Sequence, residues 1–148
     1  MTDLLQTYQL FIHAPPAAVF SAVVDGQKTA QYFFGTAFSG ELEKGAKYRY
    51  AFPDGTVAVD GEVLAVEPDA LLECTWAVHY DPSCAGEKSH VSWKLEARGE
   101  LTRVTLVHDC REAPNTARNV GNDGWSLVLS GLKTLVETGR AMPPPPMG

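Results

Sequence analysis

Gly124-Trp125-Ser126-Leu127-Val128-Leu129-Ser130-Gly131-Leu132-Lys133-Thr134-Leu135-Val136-Glu137-Thr138-Gly139 is the stretch that decides the fold of this chain. Trp125, Val128, Leu129, Leu132, Leu135 and Val136 recur every three or four residues, which gathers them into one apolar stripe on an α-helix. Ser126, Ser130, Lys133, Thr134 and Glu137 fall largely off that stripe. Asn122 and Asp123 are both suited to cap its start. Gly139 ends the pattern, and Pro143 to Pro146 forbid its resumption. At about 1.5 Å per residue such a helix is a rod of roughly 25 Å. A rod with one apolar side needs a broad apolar surface opposite it, and the sequence upstream has the period of strands.

Thr7 to His13 alternates as a strand, with Tyr8, Leu10 and Ile12 on one side and Gln9, Phe11 and His13 on the other. Pro15-Pro16 breaks it and opens a short helix that runs to Val24, and a second short helix is predicted over Gln27 to Phe33. From Phe34 the period changes to two. Glu43-Lys44-Gly45, Pro53-Asp54-Gly55, Pro68-Asp69, the polar loop Asp81 to Lys88, and Gly99-Glu100 then separate about six strands. Gly61 is a candidate bulge within the strand Thr56 to Glu67. Parity puts Tyr48, Tyr50 and Phe52 on the inward face, followed by Leu72, Cys74, Trp76, Val78 and Tyr80. Val91, Trp93 and Leu95 join them, as do Val104, Leu106, His108 and Cys110. Arg111 to Gly121 reads as a connection carrying an early, frayed turn of the last helix.

The order β-α-α-β6-α, with helices segregated to one face of an antiparallel sheet, is the α+β class. The expected architecture is a curved sheet of about seven strands wrapped around the C-terminal helix. Its ends close tightly while its middle stays hollow, as in small barrels that hold one ligand. Residues 1–140 are read as a single domain, and 141–148 as a disordered Pro-rich tail with polyproline II bias.

A chain of 148 residues is expected to be one domain able to bury its own core. Its formal net charge of −6, with no run of Lys or Arg, argues against a nucleic-acid or anionic-membrane partner. No apolar run approaches the roughly 18 residues of a membrane span, so no membrane insertion is expected. The three cysteines, Cys74, Cys84 and Cys110, lack CxxC spacing. The opening Met-Thr-Asp has neither the basic nor the apolar region of a secretory signal. Reduced thiols in a cytoplasm are the expectation.

Several stretches together carry a family likeness. They are Ile12-His13-Ala14-Pro15-Pro16-Ala17-Ala18-Val19-Phe20, Gln31-Tyr32-Phe33, Gly61-Glu62-Val63-Leu64 with Pro68, and Leu72-Glu73-Cys74-Thr75-Trp76. Thr102-Arg103-Val104-Thr105-Leu106-Val107-His108 and Gly124-Trp125 leading into Leu132-Lys133-Thr134-Leu135 complete the set. In this order and spacing the chain, from Tyr8 to Gly139, resembles the helix-grip fold of the Bet v 1-like and START-related superfamily. Within it the chain looks like the family named after the C-terminal domain of the activator of Hsp90 ATPase. Tyr32 stands where many members of that family have tryptophan. The resemblance implies a deep cavity between sheet and long helix that takes an apolar small molecule. It implies no fixed catalytic set, since members range from ligand carriers to cyclases. A chaperone partner follows only by family analogy.

His108 lies on the apolar face of its strand. It is either a polar group that orients a ligand or moves a proton in the cavity, or a core histidine with its hydrogen bonds satisfied. Trp76, Trp93 and Trp125 either form an aromatic wall for a planar ligand or fill the core. His79 and His90 flank the loop that holds Cys84, but parity turns both outward, so no metal site is expected. No Ser-His-Asp order, phosphate loop or metalloprotease motif occurs, and no cofactor is implied. The leading expectation is a binding protein for an apolar or aromatic molecule. Its expected contacts are Tyr48, Tyr50, Trp76, Trp93, His108, Trp125, Leu129 and Leu132. The alternatives are a cyclase or hydrolase using His108 as general acid or base, and a regulator of an Hsp90-type ATPase.

Overall fold

Alternation in seven short stretches produces seven strands in the computed structural model, which describes residues 3–121 and 123–144. Strand β1 (Leu5–Ile12) leads into helices α1 (Pro16–Val24) and α2 (Gly26–Thr29). Then come β2 (Ala37–Gly40), β3 (Lys47–Ala51), β4 (Val57–Glu67), β5 (Leu71–Val78), β6 (Ser89–Arg98) and β7 (Leu101–Asp109). Helices α3 (Pro114–Gly121) and α4 (Gly124–Thr138) follow. The strands form one antiparallel sheet in the order β1-β7-β6-β5-β4-β3-β2. Neighbours in sequence pair from β2 to β7, with the longer 79–88 loop between β5 and β6, and β1 closes on β7 with Leu5 opposite Asp109 and Ile12 opposite Thr102. This is the helix-grip architecture.

The inward face of the sheet carries the residues that alternation assigns to it. Tyr48, Tyr50, Leu72, Cys74, Trp76, Val78, Val91, Trp93, Leu95, Val104, Leu106 and His108 are all buried. Against them lies the stripe of α4, with Trp125, Val128, Leu129, Leu132 and Leu135 buried. Gly131 lets α4 come close to the α2–β2 segment, since a Cβ there would sit 2.8 Å from the Cβ of Tyr32. Gly139 ends α4 in the left-handed region at φ 77°, and its N–H bonds to the Leu135 carbonyl at 2.8 Å. Asp123 occupies the N-cap position without a side-chain hydrogen bond. Asn122, the other candidate cap, lies outside the described residues, as do residues 145–148 of the predicted tail. Residues 141–144 have no regular secondary structure.

Three expectations are corrected. The second helix is shorter than Gln27 to Phe33, because the hydroxyl of Thr29 donates to the Thr36 carbonyl at 3.0 Å and accepts from Phe38 N–H at 2.9 Å. That clamp draws the chain out of the helix and into β2. Gly61 is not a bulge. The register shifts fall between Tyr50 and Ala51 and between Val63 and Ala65. At Gly61 the backbone of β5 comes so near that a Cβ would lie 2.2 Å from the Thr75 carbonyl oxygen, which is the use of a glycine in a strand where backbones close in. Arg111 to Gly121 is no mere connection, since α3 is a separate helix. The Glu87 carboxylate, from the β5–β6 loop, caps its first turn. It accepts Asn115 N–H at 3.1 Å, Thr116 N–H at 2.8 Å and the Thr116 hydroxyl at 2.9 Å.

Candidate ligand site

Sheet and helix part company where α4 begins. A recess of about 310 Å³ opens there. Tyr50 of β3, Ala58 and Val59 of β4, and Trp76 of β5 line it from the sheet. Gly124, Trp125, Leu127 and Val128 of α4 line it from the helix, with Asn119 and Val120 of α3 beside them. The rest of the wall is Phe33, Phe34, Thr36, Phe52 and Tyr80, of which Phe34 and Tyr80 are exposed and form the rim. None of these side chains is charged. Phe34 takes a left-handed conformation (φ 53°) just before Gly35 (φ 78°), which turns its ring outward at 56% exposure.

The aromatic rings form a continuous surface. Phe33 stacks on Tyr50 with centroids 4.4 Å apart and meets Trp125 edge-on at 5.7 Å. Trp76 lies 5.4 Å from both Tyr50 and Trp125. Such offset and edge-on contacts each add about 0.5–1.5 kcal/mol beyond burial, and they form without any ligand. Burial pushes the Tyr50 hydroxyl well above its ordinary pKa, with Tyr32 and Cys74 adding to the effect. It stays protonated at any physiological pH.

His108 is a satisfied core histidine. Trp125 Nε1–H donates to its Nδ1 at 2.9 Å, and its Nε2 lies 2.7 Å from Ser89 Oγ. An indole N–H only donates, so Nδ1 is the acceptor and the ring proton sits on Nε2. Nε2–H therefore donates to Ser89, whose hydroxyl passes its own proton toward the Trp76 carbonyl at 3.2 Å. Burial is the main cause that lowers the imidazole pKa to about 3. With zero exposure and both nitrogens engaged, the ring offers no lone pair or proton to a substrate. A reaction that uses His108 as general acid or base has no geometric basis.

Of the residues singled out from the sequence, Tyr50, Trp76 and Trp125 line the recess. Tyr48 does not. It stacks on Phe38 at 5.7 Å and donates its hydroxyl to the Thr75 carbonyl. Trp93 packs edge-on against Trp125 at 5.9 Å, behind the wall. Leu129 and Leu132 are buried further along α4 in closed core, so the hollow lies beneath the first turns of the helix and not beneath them. His79 pairs with Asp60 at 2.7 Å, and His90 is exposed. Among the described residues no three metal-ligating side chains converge. Sequence inspection missed Phe33, Phe34, Thr36, Phe52, Ala58, Val59, Tyr80, Asn119, Val120, Gly124, Leu127 and Val128 as lining residues. Val128, on the stripe, and Phe52 and Tyr80, on the inward face, each gave a signal.

A family model described as activator of Hsp90 ATPase homolog 1-like protein matches residues 13–137. Among solved structures, that of DynU16, a protein from the dynemicin biosynthetic locus, superposes with a TM-score of 0.77 at 29% identity. The match covers 94% of this chain and 49% of DynU16, so the chain spans about half the length of that relative. CalU16 from Micromonospora echinospora gives a TM-score of 0.72 at 24% identity, with 94% of this chain and 77% of that one covered. The Aha1 dimer from Colwellia psychrerythraea gives 0.73 at 20% identity, with 94% and 100% covered. These last two likenesses are likenesses of fold. No curated protein matches the chain.

Proposed function

The chain belongs to the family of activator of Hsp90 ATPase homolog 1-like proteins, and from that premise we propose that it is one of the ligand-binding members of this fold. It holds an apolar, aromatic small molecule between the sheet and the first turns of α4. The observation that carries this is the recess itself, whose wall holds seven aromatic rings and no charged side chain. A pocket of that kind gains affinity from apolar burial and stacking, and a few polar groups orient the guest. Three buried free thiols suit a reducing cytoplasm as the place of action. No described helix is long and apolar enough to cross a membrane. Activation of an Hsp90-type ATPase comes to this chain only through the family name and a shared fold, and no feature of the described surface adds to it.

A thermal-shift series with neutral polycyclic aromatics tests the proposal. Fluorenone should raise the melting temperature of the wild type. It should leave Leu127→Trp unmoved, because the half-buried Leu127 can be enlarged into the recess without disturbing closed core. No shift with any such compound, or equal shifts in the two proteins, would reject it.

A further inference from the structure

Resting on the ligand-binding reading above, we propose that the recess selects uncharged aromatic molecules carrying a hydrogen-bonding oxygen, and that Tyr50 Oη is the group that engages that oxygen. Four other polar side chains of the wall are engaged, and the indole N–H of Trp76, which has no partner, is sealed from open space. Thr36 donates to the Phe33 carbonyl at 2.6 Å and Trp125 to His108 at 2.9 Å. Asn119 accepts from the Tyr80 hydroxyl and donates to Asp81 at 3.0 Å. Tyr50 is 2% exposed, and its hydroxyl has no partner among the described residues. The polar side-chain atoms that are both sealed and unpartnered are Nε1 of Trp76 and of Trp93. Tyr50 Oη is not among them, and Tyr50 lines the recess. A guest that displaces water from this hydroxyl keeps the hydrogen bond only if it brings an oxygen of its own, and a plain hydrocarbon forfeits it.

Charge is excluded twice. A carboxylate or ammonium inside the recess would meet no counter-ion, and an unpaired buried charge is strongly disfavoured. At the rim Asn119 holds Asp81, whose carboxyl is kept below its ordinary range chiefly by hydrogen bonds from Ser83. An anionic head group left at the mouth would face that negative charge, on a chain whose net charge is already −6. Fatty acids are therefore poor guests and neutral ketones, quinones or phenols good ones.

Calorimetric titration of the full chain with fluorenone, fluorene and a fluorenone carboxylate tests this, because the three share one ring skeleton. The wild type should bind fluorenone about five- to tenfold tighter than fluorene, the worth of one good hydrogen bond to an otherwise unpaired donor. The carboxylate should bind at least about tenfold more weakly than fluorenone. Tyr50→Phe, which keeps the ring stacked on Phe33, should bind fluorene unchanged and lose the preference for the ketone. Equal binding of fluorenone and fluorene by the wild type overturns the inference and leaves the ligand-binding reading standing. So does a preference that survives in Tyr50→Phe, or a carboxylate that binds as tightly as the ketone. If none of the three binds, the ligand-binding reading fails and takes this inference with it.

Discussion

Acidification to about pH 5 should cost the folded protein about 2 kcal/mol through His108 alone. Burial holds the imidazole at about 3, against an ordinary value of 6.5. Between those two values the unfolded chain binds the proton and the folded chain does not. Stability therefore rises with pH across that window. This contribution is present in full above about 6.5 and is lost progressively as the pH falls toward about 3. At about pH 5 the unfolded imidazole sits roughly one and a half units below its own pKa, and each unit is worth about 1.36 kcal/mol. Urea unfolding at about pH 7.5 and about pH 5, in the wild type and in His108→Gln, isolates the effect. Glutamine keeps an acceptor for Trp125 and a donor for Ser89 but does not titrate. The wild type should lose about 2 kcal/mol more than the variant over this interval. Depressed carboxylates such as Asp109, held at about 2 by Arg111, contribute mainly at lower pH and equally in both proteins. Equal losses in the two proteins, or a His108 ring that titrates near neutrality by NMR, would refute the buried-relay geometry.

Leu132→Ala should cost about 2–5 kcal/mol in urea unfolding, because Leu132 is wholly buried in closed core where little can collapse to refill the cavity. Gly61→Ala should destabilise by about 1–3 kcal/mol, since the new methyl would be driven against the Thr75 carbonyl; an unchanged midpoint would show that β4 and β5 are not so close. Glu87→Ala should cost about 1 kcal/mol and should speed hydrogen exchange at Asn115 and Thr116 first. The same variant should weaken ligand binding, because α3 supplies Asn119 and Val120 to the recess.

Strand parity made the inward face legible because alternation is local: the positions of Tyr50, Trp76, Trp93 and His108 follow from their immediate neighbours. The stripe of α4 was legible for the same reason. What escaped was set at long range. The α3 segment is a helix whose first amides are satisfied by Glu87, from a different loop, and no pattern within Arg111 to Gly121 announces that partner. The place of the hollow escaped too. Parity says which side of the sheet a residue faces, but not where along the helix the packing closes. It closes at mid-helix, where Gly131 admits Tyr32 and Tyr32 anchors its hydroxyl on the Ala22 carbonyl at 2.7 Å. It stays open at the first turns, where the rims of α3 and β4 stand apart. The role of His108 turned on Ser89 and Trp125, which lie on β6 and α4.

Intermolecular NOEs between bound fluorenone and the methyl groups of the protein test the central claim most directly. They should connect the ligand to Val59, Val120 and Val128, which surround the recess, and not to Leu132, which lies in closed core. Contacts to Leu132, or to Phe11 and Leu101 on the outer surface, would contradict it.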